Sequence, residues 1–161
     1  MWRYNYDRCQ ACNVEVIKME LTGVAEVLGG PEVLHRKVNS RMDLIELGDK
    51  GITKDALVHL AKYLDIPISQ MAELLAVTER TIQRYTLEKS FNRMVSEQIL
   101  QIAEVAVRGA DVFGDKDKFL LWLKQPNRAL GNNTPMSMLG SRFGAEMVLD
   151  ELGRMEYGVF S

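Results

Sequence analysis

Residues 68–87 read ISQMAELLAVTERTIQRYTL, and their spacing constrains the fold more than any other feature. Two short helices joined by a tight turn need a small residue where the backbones cross and apolar residues at fixed offsets. Met71, Ala72, Leu75, Val77, Ile82 and Tyr85 fall at those offsets, with Ala72 at the crossing. Ala76 occupies the turn site where glycine is commonest. Ser69 reads as the cap of a helix over 70–75, and Thr78 as the cap of a second over 79–86. The segment is a helix-turn-helix pattern.

The remaining periodicity is also helical. Gly29-Gly30-Pro31 ends one apolar stretch, and Pro31 can open the next helix. Thr53 caps a helix over 54–64 with Leu57, Leu60, Ala61 and Leu64 on one face. Asp49-Lys50-Gly51 reads as a turn, and Ile66-Pro67 breaks the chain again. A longer helix over 93–108 carries Ile99, Ile102, Val105 and Ala106 on a stripe expected to be intramolecular core. Then follow a turn at Gly114-Asp115, a helix over 116–123 with Trp122 in the core, a loop over 125–135, and short helices near 136–139 and 145–152. No alternation of strand type appears. The expectation is an all-α chain with an N-terminal tail over 1–21, a helix-turn-helix bundle over 22–90 and a small helical domain over 91–161.

Charge limits how such a chain could meet DNA. Twenty Lys+Arg against 22 Asp+Glu give a net charge of −2. That excludes a basic coat binding nucleic acid without specificity, but leaves a local basic face open. Residues 78–93 hold Arg80, Arg84, Lys89 and Arg93 against Glu79 and Glu88, a local excess of two positive charges. The second helix of the motif would place its N-terminal part in a major groove. Its polar residues are Glu79, Arg80, Thr81, Gln83 and Arg84. Arginine reads guanine, glutamine reads adenine, and threonine touches a thymine methyl or a phosphate. Ser69, Gln70 and Thr78 complete the expected DNA contacts, the hydroxyls holding phosphates. The bland alternative is a solvated face on two core-packing helices.

The last fifty residues carry a denser series of markers. Phe113-Gly114-Asp115, Trp122-Leu123, Pro126-Asn127, Leu130-Gly131, Thr134-Pro135, Leu139, Gly144, Val148, Leu152-Gly153-Arg154 and Tyr157-Gly158 follow one another. With the helix-turn-helix and the preceding TGVAEVLGG, this series resembles the Xre/ParS antitoxin family over residues 22–161. Ser141 stands where that family often has Thr, and Asn133 where it has Lys or Gly. The resemblance implies a type II antitoxin. Such a protein dimerises, represses its own operon through operator DNA, and neutralises a RES-domain, NAD-degrading toxin by direct contact. The end of the chain suits a protein partner, because aromatic and Arg side chains make good interface anchors. Arg154, Glu156, Tyr157, Val159, Phe160 and Ser161 are the expected toxin-binding residues. The alternatives are a tail folded back on its own bundle, a stand-alone helix-turn-helix repressor, or an adaptor whose motif no longer binds DNA.

Other chemistries have little support. Cys9 and Cys12 form a lone CxxC, whereas a structural zinc site needs four ligands. His35 and His59 have no ligand at metal spacing. No phosphate loop follows a strand, and no nucleophile elbow is present. No metal, no cofactor and no enzymatic activity are expected. The longest apolar runs are too short to span a membrane, and the N-terminus lacks the apolar core of a signal peptide. The expected location is the cytoplasm, with reduced thiols.

Overall fold

The computed structural model describes residues 18–158. Among them the chain is all-α, with two isolated antiparallel bridges, Thr53 to Ser90 and Asn127 to Asn133. Residues 18–27 are helical and are called α1. There follow α2 (Gly30–Leu34), α3 (Arg41–Lys50), α4 (Lys54–Tyr63), α5 (Ile68–Leu74) and α6 (Glu79–Arg84). The second half holds α7 (Arg93–Phe113), α8 (Lys116–Leu123), a 3-10 turn (Arg128–Leu130), α9 (Pro135–Met138) and α10 (Arg142–Glu156). Residues 18–21, read from sequence as tail, are thus helical, and Leu21 is buried. Cys9 and Cys12 lie outside the described residues.

Helix α7 organises the core. Asn92 caps it by accepting from the Val95 N–H (3.0 Å). It runs five residues past the end expected from sequence and stops at Gly114, whose φ of 62° suits glycine. Val95, Ile99, Ile102, Val105 and Ala106 are buried along one side, as the stripe predicts. They pack against α10 and α3, and further along against α8. Gly109 admits the Phe119 ring against α7, since a Cβ there would overlap it. Phe119 is fully buried, whereas Trp122 is only part-buried, against Phe113 at 5.5 Å between centroids. One continuous apolar core runs from Leu21 to Leu152.

Local chemistry moves several boundaries. Ser69 does not cap α5: Pro67 is the N-cap residue, and Ser69 is already in the first helical turn. A capping side chain needs the extended backbone that precedes a helix. Thr78 does cap α6, accepting from the Thr81 N–H (3.1 Å). That helix ends two residues earlier than expected, because Tyr85 turns extended and stacks on Phe91 at 5.1 Å. Asp49 and Lys50 belong to α3, and only Gly51 (φ 93°) makes the turn. Helix α10 extends in both directions beyond 145–152, and Ser141 caps it through the Gly144 N–H (3.0 Å).

The turn between α5 and α6 holds an alanine in a glycine conformation. Ala76 has φ of 51°. Its N–H donates to the Glu73 carbonyl (3.1 Å), and the Val77 N–H donates to the Ala72 carbonyl (3.0 Å). This pair of bonds closes a helix through a left-handed residue. A Cβ in that region costs roughly 1 kcal/mol or more. Ala76→Gly should therefore stabilise the fold by about 0.5 kcal/mol, net of the extra freedom glycine has when unfolded. The check is a higher urea midpoint at unchanged slope; a lower midpoint would contradict the strain.

Candidate functional site

The helix-turn-helix is built from α5, the turn over 75–78, and α6. Met71, Ala72, Leu75 and Ile82 are buried between the two helices and the body, while Val77 and Tyr85 are half-buried against the same core. Burying Ile82 leaves Glu79, Arg80, Gln83 and Arg84 on the exposed side of α6. The Thr78 and Thr81 hydroxyls lie 2.7 Å apart at its start. Gln83 Nε2 donates to Glu79 (2.8 Å), so these two side chains hold each other. Arg80 and Arg84 have no ion-pair partner among the described residues. Ser69 is exposed in the first turn of α5, and Gln70 is half-buried beside it.

The positive charge is narrower than the count over 78–93 implies. Arg93 is held by Glu97 (2.8 Å) and Asp49 (3.1 Å). The hydrogen bond it donates to Glu97, and then the charge of Asp49, keep its guanidinium firmly protonated. Lys89 lies over the Tyr85 ring at 5.9 Å. Arg80, Arg84 and Lys89, none with a carboxylate partner among the described residues, therefore carry the available charge of this face. Lys54, which the sequence did not single out, ends α6: its ammonium donates to the Tyr85 carbonyl (2.8 Å) and the Gln83 carbonyl (3.3 Å). A cation suits the negative end of a helix dipole.

Toward the end of the chain, the expected partner-binding residues divide. Arg154 pairs with Glu151 (2.7 Å), and Glu156 pairs with Arg108, which also reaches Glu20. Tyr157 is 81% exposed. Val159, Phe160 and Ser161 lie outside the described residues. An apolar surface escaped the sequence reading. Met42 and Ile45 on α3, Met94 on α7, and Phe143 and Met147 on α10 are exposed, Phe143 at 77%. A groove of about 640 Å³ lined by Ile45, Met94, Leu100 and Arg142 runs between these helices. The signal was present: Phe143 and Met147 fall off the buried 145/148/152 stripe of α10. No group of acidic, His or Cys side chains among the described residues could hold a metal ion, and no helix among them is long and apolar enough to cross a membrane.

Comparison with known proteins bears on both ends. Residues 43–104 match the model of the antitoxin Xre-like helix-turn-helix domain. Residues 108–158 match the antitoxin Xre/MbcA/ParS C-terminal toxin-binding domain. An Antitoxin Xre of Yersinia enterocolitica serotype O:8 / biotype 1B is 31% identical over 120 residues, covering 73% of this chain and 81% of that protein. An Antitoxin Xre of Photorhabdus laumondii subsp. laumondii is 43% identical over 67 residues, 41% of this chain and 45% of that protein. A chain from the crystal structure of the M. tuberculosis MbcT-MbcA toxin-antitoxin complex has a TM-score of 0.48 at 21% identity, over 63% of this chain and 90% of that one. The chain belongs to the Xre/MbcA/ParS antitoxin family, an antitoxin of a toxin–antitoxin system with a helix-turn-helix and a C-terminal toxin-binding domain.

Proposed function

We propose that this antitoxin neutralises a RES-domain toxin that degrades NAD, by direct protein contact, and represses its own operon through operator DNA. It works as a cytoplasmic homodimer of the type II class, by binding alone and without catalysis. Residues 22–90 serve the DNA and residues 91–161 the toxin. The observation that carries the DNA half is the exposed side of α6, where Arg80 and Arg84 stand free of acidic partners. Two-fold symmetry would present two such faces to successive major grooves. That matters in a chain of net charge −2, where non-specific attraction is weak. Thr78 and Ser69 meet phosphates, Thr81 and Gln83 flank the arginines, Gln70 supports the first helix, and Glu79 orients Gln83.

For the toxin half, support comes from exposed Tyr157 and from the family resemblance of the last fifty residues. Arg154 and Tyr157, followed by Val159, Phe160 and Ser161, form the docking segment. Glu156 anchors that segment to α7 through Arg108.

An Arg80→Ala/Arg84→Ala double variant tests the first half. Each bidentate guanine contact contributes about 1–3 kcal/mol, so affinity for the DNA upstream of the chain's own gene should fall roughly 100-fold with the helical content unchanged. Undiminished affinity would move the protein to the adaptor reading. For the second half, removing residues 157–161 leaves the Glu156–Arg108 pair in place. Toxin affinity should weaken by roughly tenfold or more while DNA affinity holds, as for loss of an aromatic anchor. Unchanged toxin affinity would place the docking surface elsewhere.

A further inference from the structure

The closure of α5 leaves one carbonyl to spare. The left-handed turn uses the carbonyls of Ala72 and Glu73, while that of Leu74, the last helical residue, has no partner in the turn. Such terminal carbonyls need an outside donor. Gln98 of α7 supplies it: its Nε2 donates to Leu74 at 2.7 Å. The same nitrogen donates to the Gly140 carbonyl at 2.9 Å, in the loop between α9 and α10. An amide nitrogen carries two protons, so neither bond weakens the other by sharing. One side chain therefore joins the turn of the helix-turn-helix to the C-terminal half.

The other end of α5 is tied from the same side. Helix α4 closes through Asp65 in the left-handed region (φ 52°). Lys124, just past α8, donates to the Asp65 carbonyl (3.1 Å) and lies 3.1 Å from its carboxylate. That pair is exposed and contributes little stability, but it adds a second point of registration. Helix α6 packs on α5. The orientation of α5 on the body therefore sets that of the start of α6, while Lys54 of α4 holds its end.

We propose that Gln98 is a positioning residue for DNA reading. With Lys124, it fixes the angle at which the C-terminal half presents α6, so that displacement of the α9–α10 loop is transmitted to the DNA-reading helix. This rests on the DNA-binding reading given above. The test uses the full chain carrying Gln98→Met, which keeps length and removes both donors, and Gln98→Lys, which restores donation. Amide hydrogen exchange at Ile82 and Tyr85 should quicken roughly tenfold in the Met variant, as for a lost hydrogen bond. Exchange at Ile102 and Val105 of α7 should stay unchanged. Affinity for a duplex of the chain's own upstream DNA should fall by about the same factor. Gln98→Lys should restore slow exchange in α6. Unchanged α6 exchange in the Met variant, or equal quickening in α7, would overturn the proposal. If the wild-type chain fails to bind that duplex, the DNA reading fails by itself, and the exchange pattern decides the positioning role.

Discussion

Burial of the α7 stripe is the constraint on which the rest depends. Ile99, Ile102, Val105 and Ala106 are fully buried, and the elements that cover them come from both ends of the chain: α3 before it, α8 and α10 after it. A helix of 21 residues shared in this way makes the two halves one packed body. Neither half has a complete core of its own, because each uses a side of the same helix. The polar residues of α7 then reach out to both halves. Gln98 reaches the helix-turn-helix turn, and Arg108 holds the end of α10 through Glu156.

Electrostatics give the exposed side of α6 its character. The chain is balanced overall, and most surface arginines are paired: Arg93, Arg108, Arg142 and Arg154 each have a carboxylate. Arg80 and Arg84, like Arg41 and Arg128, have no carboxylate partner among the described residues, but only Arg80 and Arg84 share one helix. Two unpaired arginines one helical turn apart on the short α6 concentrate attraction at one place. The short α6 keeps this orientation through Lys54 at one end and Thr78 at the other.

Much of this was legible in the sequence, for identifiable reasons. Apolar spacing gave the buried faces of α4, α5 and α7, and the Thr53 and Thr78 caps were readable because capping is local chemistry. Ser69 misled because Pro67, two residues earlier, takes the capping position. The end of α7 lies at Gly114, a left-handed glycine that the chain's turn signal already marked, whereas the Arg108–Glu156 pair at the end of α10 is a tertiary contact. Gln98 and Lys54 could not be read at all. Their partners are backbone carbonyls 24 to 42 residues away, and such bonds leave no mark in composition or periodicity. The charge excess over 78–93 was real but overstated, since Arg93 faces Asp49 on α3 across a fold the sequence does not display.

On the function we propose, this chain silences a RES-domain toxin by holding it. The most direct measurement is co-expression of the chain with that toxin, followed by growth, cellular NAD and co-elution of the two proteins on a sizing column. Restored growth, preserved NAD and a single complex containing both chains are expected. Restored growth without co-elution, or co-elution with NAD still lost, would contradict it.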